Sequence, residues 1–122
     1  MKRLSRGELE AQVMDALWDA NEWMTPRDVQ SVIATPRRQL AYTTVMTILV
    51  RLWNKGMLER RAAGRAFEYM PVATRDEWTA NRMHELLEAS GDRQLTLHRF
   101  VDAISAREAT QLRRVLDSRK RR

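Results

Sequence analysis

The stretch AYTTVMTILVRLWNKG, residues 41–56, decides the fold. With Thr43 set at zero and about 100° added per residue, Thr43, Asn54, Thr47, Arg51, Thr44 and Lys55 fall between about 0° and 120°. Ile48, Leu52, Val45 and Leu49 fall between about 140° and 240°, with Trp53 and Met46 near 280° and 300°. The spacing predicts an amphipathic helix whose apolar arc packs on other helices. Gly56, preceded by Lys55, marks its end. Its polar arc contains no carboxylate, although a plain solvent-facing helix mixes Glu with Lys. Threonine is also a middling helix former, since its branched side chain loses rotamer freedom in a helix.

Upstream, helix starts are legible. Ser5-Arg6-Gly7-Glu8 fits a capping box, flanked by Leu4 and Leu9 at the spacing of a hydrophobic staple. Leu9, Val13, Ala16 and Leu17 then share a helical face, so a first helix is expected from about Arg6 to Ala20. Thr25 suits an N-cap, with Pro26 at the first helical position and Asp28 at the positive helix start. Val29, Val32 and Ile33 are expected to form the inner face of a second helix ending before Pro36. Trp23 and Met24 fit a short strand between these two helices.

Downstream, MLERRAAGRAFEYMPV (residues 57–72) changes period from helical to alternating. Leu58, Arg60 and Ala62 alternate with Glu59, Arg61 and Ala63. Phe67 and Tyr69 alternate with Ala66, Glu68 and Met70. This reads as a β-hairpin turning at Ala63-Gly64 and ending at Pro71. A fourth helix opens at the Thr74-Arg75-Asp76-Glu77 capping box, with Ala80, Met83, Leu86 and Leu87 on one side. Ser90-Gly91-Asp92 breaks it. Leu97, Phe100, Val101 and Ile104 form a fifth helical face. Ser105-Ala106-Arg107-Glu108 opens a sixth helix with Ala109, Leu112, Val115 and Leu116. SRKRR, residues 118–122, reads as a frayed basic tail.

The expected architecture is mainly α with a small β-hairpin. Helix, short strand, helix, helix and hairpin is the order of a winged helix-turn-helix. Residues 1–73 would form this DNA-binding domain and residues 74–122 a helical dimerisation domain. The latter segment is too short for a comfortable independent core. Its apolar stripes, from Met83, Leu86 and Leu87 through Leu97, Phe100, Val101 and Ile104 to Leu112, Val115 and Leu116, point to pairing with a second copy.

Charge points the same way. The chain of 122 residues carries a formal net charge of +6, which suits a polyanionic partner. From Val29 through Leu58 there is no acid, yet Arg37, Arg38, Arg51 and Lys55 lie there. An acid-free face suits a surface that approaches phosphates. A threonine hydroxyl can bond a phosphate or base edge, and its methyl can pack on the thymine methyl. Arg61 or Arg65 on the hairpin would then follow the neighbouring backbone or minor groove.

At these residues the sequence resembles the penicillinase-repressor (BlaI/MecI) family. LSRGELEAQVMDALW resembles the family's first helix, LAYTTVMTILVRLWNKGMLER its recognition helix and following strand, and RAFEYMPV its second wing strand. The resemblance covers most of the chain. It implies a dimeric winged-helix repressor of a palindromic operator, with Thr43, Thr44, Thr47 and Arg51 at double-stranded DNA. Tyr42, Lys55, Arg61 and Arg65 complete the candidate set. In β-lactam-responsive members, a membrane sensor's protease system cuts the dimerisation arm just before a phenylalanine. TLHRFVDAIS resembles that stretch and would put the cut at Arg99-Phe100, where the family often carries Asn instead of Arg99. Read by its spacing alone, Phe100 is ordinary interface core. Copper-sensing relatives use a cysteine-rich motif, and this chain has no cysteine.

The residues do not suggest an enzyme, a metal site or a cofactor. His84 and His98 are the only histidines, each on a helix without a matching ligand set. The four glycines, Gly7, Gly56, Gly64 and Gly91, form no phosphate loop. Trp18, Trp23, Trp53 and Trp78 read as core rather than a stacking platform. No apolar run approaches the ~20 residues of a membrane span, and the N-terminus lacks a signal-peptide stretch. A cytoplasmic protein without membrane insertion is expected. Two other readings of the basic face stay open. One is a winged-helix module for an acidic protein partner. The other is a peripheral membrane role, which would require large apolar residues beside the charges.

Overall fold

The computed structural model describes residues 4–120. The element order is α1 (Arg6–Ala20), α2 (Pro26–Ile33), α3 (Tyr42–Asn54), β1 (Leu58–Ala63), β2 (Ala66–Pro71), α4 (Arg75–Ala89), α5 (Arg93–Ala103) and α6 (Ala106–Lys120). It is a winged-helix chain, mainly α, with one antiparallel hairpin. Two compact units divide it, one reaching Trp78 and the other starting at Thr79.

Local chemistry sets the element ends of the first unit. Ser5 caps α1 by accepting from the Glu8 N–H at 3.2 Å. Asn21 closes it in the left-handed region at φ 51°, a conformation Asn tolerates better than most residues. Thr25 and Asp28 form a reciprocal capping box at 3.0 and 3.1 Å. Gly56, at φ 79°, ends α3 in a Schellman motif. Its N–H donates to the Trp53 carbonyl, and the Met57 N–H donates to the Leu52 carbonyl, both at 3.0 Å.

The hairpin pairs Leu58 with Pro71 through Ala63 with Ala66. The turn residues are therefore Gly64 and Arg65, one position later than the sequence pattern suggested. A positive φ at the first of two loop residues fits a type II′ turn, and Gly64 supplies it at 63°. The expected strand at Trp23 and Met24 shrinks to one bridge, in which Met24 and Tyr69 exchange backbone hydrogen bonds at 3.0 and 2.8 Å.

The core of this unit draws on every element. Val13 and Leu17 of α1, Val29 of α2, and Val45, Ile48, Leu49 and Leu52 of α3 are buried with Leu58 and Tyr69 of the hairpin. Val32 is not part of it: at 59% exposed it faces outward. An eight-residue helix turns only Pro26 and Val29 fully inward, and Ile33 packs at the margin. Trp53 and Trp78 also sit at the surface rather than in the core. Trp78 rests on Trp18 with ring centroids 5.7 Å apart. The Trp18 indole donates to the Ala73 carbonyl at 3.0 Å, as a half-buried Trp usually finds a partner.

In the second unit, Asp92 caps α5 by accepting from the Leu95 N–H at 3.1 Å. Ser105 and Glu108 form the capping box of α6. Ile104 is the C-cap of α5, in extended backbone, rather than a member of its helical face. Helix α6 continues through Ser118, Arg119 and Lys120, so these residues are not a frayed tail; Arg121 and Arg122 lie outside the described residues. None of the described residues from Thr79 onward is buried.

Candidate nucleic-acid interface

Helix α3 buries one face and presents the other because its apolar and polar arcs separate on the wheel. Thr43 and Thr47 are exposed, and Thr44 and Arg51 half-buried. All four line one shallow groove of about 430 Å³ with Leu4 and Arg6 of the α1 entrance. The Thr47 hydroxyl donates to the Thr43 carbonyl at 2.8 Å. Its proton is therefore engaged in the helix, leaving its lone pairs and methyl for a ligand. Ala41, at the N-cap of α3, offers no side-chain cap. The first N–H groups of the helix, with their partial positive charge, keep their capacity for an acceptor. Tyr42 lies beneath Arg27, whose guanidinium carbon is 5.1 Å from the ring centroid.

The polar arc lacks acids within its own sequence, but the fold supplies one. Glu10 of α1 takes Lys55 in a two-oxygen contact at 2.9 and 3.2 Å. It also holds Arg51 at 3.9 Å and Arg6 at 3.7 Å. Sequence reading missed Glu10, although a signal existed. It lies three and seven residues before Val13 and Leu17, so an acid stands beside the apolar face of α1, where unpaired charge is rare.

The hairpin treats its arginines differently. Arg60 lies between Trp53 and Phe67, 3.5 and 4.2 Å from their centroids. Arg61 stacks over Trp23 at 4.4 Å and pairs with Glu68 at 2.9 Å. Both charges are engaged within the protein, Arg60 by α3 and β2 and Arg61 by Trp23 and β2, which ties the wing to the helices. Arg65 is exposed at the turn and makes no ion pair among the described residues. Before α3, Thr35 and Arg38 close a tight turn by exchanging backbone hydrogen bonds at 2.8 and 3.1 Å. The Arg38 guanidinium reaches Gln12 at 2.8 Å, while exposed Arg37 stands within the turn.

Other chemistry is sparse. No group of three potential metal ligands occurs among the described residues, and no described helix is long and apolar enough to cross a membrane. His84 and His98 sit on exposed helix faces beside Glu88 and Asp102, each one turn along its own helix.

A winged helix with this polar α3 face has a known family match. The penicillinase repressor family model matches residues 6–118. The chain belongs to the penicillinase repressor family. Within it, the chain is 46% identical over 120 residues to the transcriptional regulator BlaI of Mycobacterium tuberculosis, spanning 95% of this chain and 86% of that one. The penicillinase repressor of Bacillus licheniformis is 25% identical over 127 residues, spanning 100% of this chain and 98% of its own. Among solved structures, the complex structure of hsRosR-S4 matches with a TM-score of 0.52 at 17% identity, covering 91% of this chain and 94% of that one, which shows a shared fold. As a member of the penicillinase repressor family, the protein is a transcriptional regulator and not an enzyme.

Proposed function

We propose that this repressor binds a palindromic DNA operator as a homodimer. One observation carries the reading: α3 buries Val45, Ile48, Leu49 and Leu52 while Thr43, Thr44, Thr47 and Arg51 line its open groove. A short, hydroxylated and methylated helix face fits a major groove. Arg65 at the wing tip meets the neighbouring phosphate backbone, with Tyr42, Lys55 and Arg61 at the margin of the contact. Residues 1–73 act as the DNA-binding domain. Residues 74–122 pair two copies, so that the recognition helices enter successive major grooves and mirror the symmetry of the operator.

Duplex binding tests this reading. Affinity should fall steeply with salt and prefer one sequence over others. Binding indifferent to sequence would reject operator recognition and leave the basic face to an acidic protein partner. Sedimentation at micromolar concentration should give a dimer, and a monomer would reject the pairing.

The inactivating step in this proposal is cleavage at Arg99-Phe100 by a membrane sensor's protease system. Both residues are exposed, and their bond lies inside α5, so the helix must open locally to be cut. Mass spectrometry of the repressor from induced cells should find a fragment beginning at Phe100. An intact chain in fully induced cells would reject the switch.

A further inference from the structure

We infer that Glu10 is a positioning residue for operator recognition: it holds Arg51 and Lys55 on the recognition face and restrains their pull on DNA of any sequence. The inference deepens the operator-binding reading above and rests on it.

The geometry supports a specific role. Three cations, Arg6 of α1, Arg51 of α3 and Lys55 at the α3 C-cap, converge on one carboxylate. The Glu10 side chain is only 16% exposed, whereas Lys55 is 48% and Arg6 65% exposed. The carboxylate thus lies behind the cations rather than among them, where water and salt screen it least. A long lysine or arginine side chain free in solvent samples many rotamers, and each must be frozen on binding. Anchoring Lys55 through both carboxylate oxygens removes that freedom in advance. Arg51 lies farther from the carboxylate, at 3.9 Å, and also lines the groove with Thr43, Thr44 and Thr47. It is oriented without being neutralised.

The same carboxylate subtracts charge. Phosphate contacts supply nearly all of sequence-independent binding, through release of counterions. A phosphate that takes Lys55 must compete with Glu10, so random DNA gains less from this corner of the protein. An operator that places groups correctly for Arg51 and the threonines loses little. Glu10 therefore raises the ratio of operator to random affinity rather than affinity itself.

The test uses the 122-residue chain and two duplexes: one selected by the wild-type protein from a random pool, and a scrambled duplex of the same composition. Glu10→Gln should bind the scrambled duplex several-fold more tightly, with a salt slope steeper by about one unit. Selected-duplex affinity should change less, so the ratio falls. Glu10→Asp, which keeps the charge but shortens the reach, should retain the wild-type slope and still lower the ratio. In a chain already carrying Arg6→Gln, Arg51→Gln and Lys55→Gln, Glu10→Gln should leave the slope unchanged. A merely structural Glu10 would lower both affinities together without altering the slope, and that result overturns the inference. If the wild type itself shows no preference between duplexes, operator recognition fails instead, and the slope measurements still decide whether Glu10 restrains the cations.

Discussion

The two units of this repressor close in opposite ways. The winged-helix unit buries side chains from α1, α2, α3 and both strands in one contiguous core. The unit from Thr79 onward has three helical segments with apolar stripes and no buried residue among those described, leaving Met83, Leu86, Phe100 and Val115 exposed at 52%, 58%, 44% and 64%. Apolar burial stabilises by about 25 cal/mol per Å², so a unit that exposes its stripes has little to offset the entropy of ordering three helices. The first unit has a core of its own, whereas the second leaves its apolar stripes for the pairing proposed above. For a homodimer, this separates the requirement for folding from that for association.

Substitutions should break the two units differently. Leu49→Ala, at 0% exposure in α3, should destabilise the winged-helix unit by about 2–5 kcal/mol in denaturant unfolding, independent of protein concentration. Leu86→Ala should instead appear mainly as a weaker dimer, by about 2 kcal/mol in sedimentation, because hot-spot truncation at an interface is read in association. A concentration-independent loss at Leu86 would show that the arm has its own core. Within the first unit, Thr47→Ala should leave stability nearly unchanged and lower operator specificity by about 1 kcal/mol, as expected for one base contact. Arg65→Ala should weaken all duplexes alike and flatten the salt slope by about one unit.

The smallest expected effect is in α6. The Ser105 backbone and side chain hold the Glu108 carboxyl below its ordinary range. A lowered folded-state pKa means that this cap stabilises α6 above the unfolded value and fades as pH falls through the folded one. Glu108→Gln should remove that slight acid dependence of arm helicity, measured by circular dichroism.

Much of this was legible along the chain, for reasons that differ from place to place. The ends of α1, α2 and α6 follow from Ser5, Thr25 and Ser105, whose caps act over three residues. The two faces of α3 follow from helical geometry alone, and so does the inward set Val45, Ile48, Leu49 and Leu52. Val32 is exposed because a periodic apolar residue is buried only where another element covers it. The turn shifted by one residue because Gly64 takes the first loop position, where a positive φ suits a type II′ turn.

The sequence by itself determined the order of elements, the apolar and polar sides of each helix and the family. These depend on interactions within a few residues, or on a pattern read along the line. Only the tertiary structure decided which charges remain available. Glu10 meets Lys55 across 45 positions, Arg60 is sandwiched by aromatics from α3 and β2, and the Trp18 indole finds the Ala73 carbonyl across 55 positions. A helix wheel carries no information about neighbouring helices, so the acid behind the polar face of α3 emerges only when α1 packs against α3.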